Sequence, residues 1–82
     1  MSENNNDFLR IIISSISDHL EQSNVIPQDN FLDIGGDSLS AMKVKIDIEN
    51  KLHIVVPLEE IMLTDSIADL LEYVSKRGEF NE

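Results

Sequence analysis

The chain has 82 residues, with sixteen acidic and six basic side chains that give a formal net charge of −10. It contains no cysteine, which excludes disulfides, thiolate metal sites and a thiol nucleophile, and its acidic balance disfavours nucleic acid and anionic membranes as partners. No apolar run approaches the roughly 18 residues of a membrane span and the first residues are polar, so we predict no transmembrane segment or signal peptide and expect a cytoplasmic protein.

The first predicted element is a helix over residues 7–22, which follows asparagines suited to the N-cap position. An apolar stripe recurs along it at helical spacing and consists of Leu9, Ile12, Ile13, Ile16 and Leu20. A loop follows as far as residue 30, because Pro27 prevents a helix there. We therefore expect this helix to pack against a core along one face.

The most informative stretch is FLDIGGDSL at residues 31–39, where two glycines, an acid and a serine interrupt the helical pattern. Residues 39–52 are predicted to be helical. Ser38 then lies where a loop becomes a helix N-terminus, beside free backbone N–H groups and the positive end of the helix dipole. Gly35 and Gly36 permit backbone angles and close approaches that a side chain forbids. As a bare pattern, this arrangement is compatible with a helix cap, a nucleophile or a phosphate-accepting serine.

The second predicted helix has two apolar stripes, although a helix on a small core needs only one. The stripe expected to face the core consists of Ala41, Val44, Ile48 and Leu52. The other stripe, Leu39, Met42 and Ile46, lies on the side of Ser38, and we expect it to be at least half exposed. An exposed apolar patch rimmed by charge commonly marks a partner site. The alternative is that this second stripe packs under the loop or the short third helix.

The rest of the chain is predicted to form one short helix and one longer helix. An extended run at residues 53–56 precedes a helical turn that Pro57 can start and that ends near residue 62. Residues 64–66 are predicted to cap a final helix that runs to about residue 76 and stops at Gly78. Ser66 also follows an aspartate, but it lacks a preceding glycine pair, and we interpret it as a cap residue.

The run at residues 31–39, continued by Ser-Ala-Met, resembles the attachment-site motif of acyl and peptidyl carrier proteins, and the likeness extends over about residues 7–74. The resemblance implies an all-α fold, a four-helix bundle of three longer helices and one short helix. It implies a single carrier domain over residues 1–82, with a core of about 7–76 and polar tails at 1–6 and 77–82.

The resemblance also implies a site. Ser38 is expected to carry a covalent 4′-phosphopantetheine arm that comes from coenzyme A. Asp37 is expected to help position the transferase or its metal, with helix capping as its alternative role. Gly35 and Gly36 are expected to let another protein bind the loop closely. We predict no catalytic residue in the chain itself, because GDSLS at residues 36–40 lacks the last glycine of the hydrolase elbow and the sheet that this elbow needs. We also predict no metal site, because the chain has only two histidines and its aspartates at positions 29, 33 and 37 do not match the spacing of a calcium-binding loop.

The implied function is to hold an aminoacyl, peptidyl or acyl group as a thioester on the arm and to present it to partner enzymes. Fatty-acid carriers are typically acidic along the second helix, whereas here Lys43 and Lys45 join Asp47 and Glu49. With the glycine pair, this composition resembles a peptidyl carrier of nonribosomal peptide synthesis. The alternatives are a fatty-acid or polyketide acyl carrier and, from another class, a non-enzymatic helical interaction domain.

The implied partners are a phosphopantetheinyl transferase, an adenylation or other acyl-loading enzyme, and condensation or tailoring enzymes. By position in the motif, Leu39, Met42 and Ile46 are the expected contacts with these partners. We expect a monomer. The sequence is compatible with a free-standing protein and with one domain of a larger synthetase.

Overall fold

The computed structural model describes the backbone of residues 3–80 and the side chains of residues 7–77. Four helices follow one another: α1 at Glu3–Leu20, α2 at Ser38–Leu52, α3 at Leu58–Met62 and α4 at Ile67–Phe80. No strand occurs within residues 3–80. Three longer helices and one short helix confirm the predicted all-α bundle. None of the helices in this described part of the chain is long and apolar enough to cross a membrane.

The core lies where α1 packs against α2 and α4, and α2 packs against α3. Its buried residues are Ile12, Ile16, Phe31, Ala41, Val44, Ile48, Ile54, Val56, Ile61, Ile67, Leu70 and Val74. The extended segment between α2 and α3 alternates, with Ile54 and Val56 buried and Val55 exposed. The α3 helix has five residues and is too short to be stable alone, so the burial of Ile61 holds it in place.

The ends of α1 differ from the prediction. The helix begins at Glu3, earlier than the predicted start, and ends at Leu20 rather than at residue 22. Glu21 adopts a left-handed conformation with φ of 54°, and the N–H of Gln22 donates to the carbonyl of Ser17 at 3.1 Å. This is the bond pattern of a Schellman helix end, which glycine usually supplies. The sequence has no glycine here, and for that reason the predicted end of the helix lies two residues too late.

The α4 helix begins as predicted and ends later. The hydroxyl of Ser66 accepts a hydrogen bond from the N–H of Asp69 at 3.2 Å, so Ser66 is the cap residue. The prediction that Gly78 stops the helix is wrong, because α4 continues to Phe80. A glycine inside a helix costs about 1 kcal/mol relative to alanine but leaves the backbone hydrogen bonds possible.

The loop before α2 is attached to the start of α4. The N–H of Ile67, which has no partner within its own helix, donates to the carbonyl of Asp29 at 2.9 Å. The side chain of Asn30 donates to the carbonyls of Thr64 and Asp65, each at 3.2 Å. These bonds fix the loop on the body of the bundle, and the loop in turn positions Ser38.

Candidate functional site

Ser38 is the first residue of α2, and its side chain is exposed. Asp37 is the N-cap, with an extended backbone at φ −145° and ψ −174°. The N–H of Ser40 donates to Asp37 Oδ1 at 2.9 Å, and the N–H of Asp37 donates to Ser40 Oγ at 2.9 Å. This reciprocal pair forms a capping box. Because Asp37 caps the helix, the interpretation of Ser38 as the cap is wrong. The hydroxyl of Ser38 makes no hydrogen bond with the described residues.

The carboxylate of Asp37 places a negative charge beside Ser38. The pKa of Asp37 is lowered, chiefly by the hydrogen bond from the backbone N–H of Ser40 and next by the bond from the Ser40 hydroxyl. The ammonium group of Lys43 lowers this pKa further. Asp37 is therefore ionised at neutral pH, at the end of the helix where the dipole favours an anion.

The two positions before Asp37 require glycine for different structural reasons. A Cβ added to Gly36 would lie 2.3 Å from Cε2 of the Phe31 ring, and Phe31 is fully buried. The N–H of Gly36 also donates to the carbonyl of Phe31 at 3.0 Å. Gly36 thus lets the backbone lie directly on the ring. Gly35 has open space around it, but its φ of 103° is one that other residues rarely adopt.

The outward face of α2 carries three exposed apolar side chains next to Ser38. Leu39, Met42 and Ile46 are 65%, 44% and 48% exposed. The alternative in which they pack under the loop or α3 is therefore wrong. On the opposite stripe, Val44 and Ile48 are fully buried. The α2 helix thus uses one apolar stripe for the core and leaves the other open to contacts with another molecule.

A third side of α2 contacts α1 through polar groups, a contact that the helical spacing of α2 did not predict. The hydroxyl of Ser15 donates to Asp47 Oδ2 at 2.7 Å, and His19 Nε2 lies 2.8 Å from the same oxygen. Partial burial raises the pKa of Asp47, but the hydrogen bonds from Ser15 and His19 and the charge interactions with His19 and Lys51 together outweigh it, and the pKa is lowered. This cluster joins α1 to α2 and helps to set the direction in which α2 presents its outer face.

No described side chain hydrogen-bonds to the Ser38 hydroxyl as an activating base would. His19 is engaged with Asp47, and His53 is exposed at the other end of α2, where it caps the helix in a left-handed conformation. Within residues 7–77, no three carboxylate or histidine side chains are placed to hold a metal ion. The fold and the site define a small helical domain that displays an exposed serine hydroxyl at the start of α2.

The chain belongs to the family of phosphopantetheine attachment-site domains. The model of the family described as "Phosphopantetheine attachment site" matches residues 7–74, which is most of the chain. Proteins of this family carry a covalent 4′-phosphopantetheine group, and such carrier domains are not catalytic themselves. Ser38 fits this group, because its hydroxyl is exposed and takes part in no hydrogen bond with the described residues.

The chain is similar to short stretches of large synthases and spans only a few per cent of their length. Nonribosomal peptide synthetase ecdA of Aspergillus rugulosus is 40% identical over 50 residues, which are 61% of this chain and 1% of the synthetase. Bacitracin synthase 2 of Bacillus licheniformis is 33% identical over 67 residues, 82% of this chain and 3% of the synthase. 3-Methylorcinaldehyde synthase of a Phoma species is 29% identical over 73 residues, 89% of this chain and 3% of that enzyme. No solved structure matches the chain.

Proposed function

We propose that Ser38 carries the phosphopantetheine arm, and that the chain holds an aminoacyl or peptidyl group on it as a thioester for partner enzymes. The observation that carries this proposal is the exposed position of Ser38 at the start of α2, directly after the capping Asp37. Ser66 is the other serine that follows an aspartate, and its hydroxyl is engaged at the cap of α4. Ser38 is therefore the better acceptor of the two.

In the proposed modification, Ser38 Oγ attacks the phosphorus of coenzyme A that bears the pantetheine. The new P–O bond forms at Oγ, the bond to the second phosphate breaks, and adenosine 3′,5′-bisphosphate leaves. A base of the transferase takes the hydroxyl proton, because no described residue of the chain is placed to do so. Asp37 helps to position the transferase or its magnesium ion. The attached arm supplies the thiol that a chain without cysteine lacks.

The proposed cargo is an amino acid or peptide. In support, the two relatives at 33% identity or more are named as a nonribosomal peptide synthetase and bacitracin synthase 2. Of the six basic residues of the chain, three lie on α2, at Lys43, Lys45 and Lys51. The second candidate is an acyl carrier, which the likeness to 3-methylorcinaldehyde synthase favours, since it covers 89% of the chain.

The first experiment measures the intact mass after incubation with coenzyme A, magnesium and a broad-specificity phosphopantetheinyl transferase. We expect a gain of one phosphopantetheinyl group in the parent and in Ser66→Ala, and no gain in Ser38→Ala. Circular dichroism shows that each variant is folded. A gain that survives Ser38→Ala refutes the site, whereas a folded parent that a second transferase also leaves unmodified supports the interaction-domain alternative.

A second experiment separates the two cargo classes on the modified protein. A panel of adenylation enzymes is offered with their amino acids and ATP, in parallel with a malonyl-transferring enzyme and malonyl-coenzyme A. We expect mass gains from aminoacyl groups at low enzyme concentration. Loading by the malonyl donor alone contradicts the peptidyl assignment and supports the acyl carrier.

We further propose that Leu39, Met42 and Ile46 contact the partner enzymes. The support is their exposure beside Ser38 on one face of α2. Met42→Ala should raise the KM of the transferase for the chain and change kcat little, because the lost contact contributes to docking rather than to the transfer step. Val55→Ala is the matched control, since Val55 is 72% exposed but lies outside α2. Equal effects of the two substitutions contradict the proposal.

A further inference from the structure

A cleft of about 260 Å³ lies beside Ser38, between the end of α1 and the start of α2. Its walls include His19 from the last turn of α1, Glu21 directly after that helix, Gly35 from the loop, and Asp37 and Lys43 on the side of α2. Nothing in the reaction at Ser38 requires this cleft, because the transferase approaches an exposed hydroxyl.

The position of the cleft connects it to the arm. The residues on either side of Ser38, Asp37 and Leu39, both contribute to its wall, so a chain that leaves Ser38 Oγ starts at its rim. Pockets that enclose a whole small-molecule ligand usually have about 300–1,000 Å³. A cleft of about 260 Å³ is thus suited to a part of the phosphopantetheine arm, with the thiol end left outside.

The lining matches the chemistry of that part of the arm. The arm begins with a phosphodiester anion and continues with a hydroxyl and two amides, which need donors and acceptors. Lys43 offers an ammonium group and takes part in no ion pair within the described residues, whereas Lys45 is paired with Glu49. Glu21 offers a carboxylate that can accept from an amide or a hydroxyl. Leu20 and Leu39 add apolar surface for the methyl groups next to the hydroxyl.

We propose that this cleft holds the first part of the phosphopantetheine arm, with the phosphodiester at Lys43 and the amide segment along Glu21. The proposal rests on the attachment at Ser38 described above. In the resting carrier the arm then lies over the junction of α1 and α2, in contact with Leu39 at the edge of the outer face but away from Met42 and Ile46. Met42 and Ile46 stay free for partner enzymes while the arm is held.

The test uses the isotope-labelled full chain after modification, with its mass confirmed. We expect nuclear Overhauser contacts between the methyl groups of the arm and the side chains of Leu20 and Glu21, and shifted amide signals at these residues relative to the unmodified chain. In Lys43→Gln the contacts should be lost and the ³¹P signal of the phosphodiester should move. Lys51→Gln is the matched control, because Lys51 lies on the same helix but not in the cleft.

Three results overturn the proposal in distinguishable ways. Amide shifts confined to residues 36–40 in a protein that has gained the arm mean that the cleft is not used, while the attachment at Ser38 stands. Contacts that persist unchanged in Lys43→Gln overturn the role of Lys43. A chain that gains no mass at Ser38 overturns this inference together with the proposed function, and the mass spectrum alone reveals that case.

Discussion

Gly36→Ala tests whether the glycine pair serves the fold through direct contact with the core. The added Cβ would lie 2.3, 2.5 and 2.7 Å from three atoms of the Phe31 ring, distances that no packed side chain tolerates. Phe31 is fully buried, so its ring must shift into a filled core or the loop must lift. Overpacking of this kind costs about 1–3 kcal/mol. For a domain of this size, 2 kcal/mol lowers the Tm by roughly 8–16 °C.

The assay is urea unfolding followed by circular dichroism, with Phe31→Leu as the second substitution in a double-mutant cycle. The smaller, more flexible leucine relieves the contact, so the cost of Gly36→Ala should fall by at least about 0.5 kcal/mol in that background. Gly35→Ala is the matched control. It should also destabilise the chain, because its φ is 103°, but nothing lies near its added Cβ, so its cost should not depend on residue 31.

Two outcomes refute this reasoning. A Gly36→Ala variant as stable as the parent means that the loop gives way at no cost and that the close approach is not required. A cost that is the same with phenylalanine and leucine at position 31 means that backbone strain, and not the ring, is the reason for the glycine. In either case the loop before Ser38 is less tightly held than the contact distances indicate.

Three further predictions concern the cap, the acid and the stripes of α2. Asp37→Ala should cost about 1 kcal/mol and Ser38→Ala less than about 0.5 kcal/mol in urea unfolding, and equal costs contradict the cap assignment. The pKa of Asp47 in the folded state is lowered from an unfolded value of about 3.9. The ionised side chain therefore stabilises the fold above that pH, and this stabilisation is lost as the pH falls through the folded-state pKa. Asp47→Asn should flatten this acid-induced loss in unfolding curves between about pH 5 and pH 2, and a profile parallel to that of the parent contradicts the role of the α1–α2 cluster. Ile48→Ala should cost about 2–5 kcal/mol and Ile46→Ala less than about 1 kcal/mol, because the first side chain is fully buried and the second is 48% exposed; similar costs refute the assignment of the two stripes.

Much of the fold could be predicted because it depends on local spacing. The helical spacing of the apolar residues in α2 correctly separates the buried Val44 and Ile48 from the exposed Met42 and Ile46, since an α-helix turns by a constant angle at each residue. The start of α3 after Pro57 and the cap of α4 at Ser66 follow from preferences of single residues. Ser38 could likewise be placed at a helix start from the glycines and the aspartate before it.

The sequence by itself therefore determined the helical class, the faces of the helices and the position of the candidate serine. Tertiary structure alone decided that Gly36 lies on the ring of Phe31, that Asp47 is bonded to α1, and that a polar cleft opens beside Ser38. The physical reason is one of distance along the chain. Periodicity gives the direction of a side chain from its helix axis, but the group that it meets belongs to another segment, and that neighbour exists only once the helices have packed.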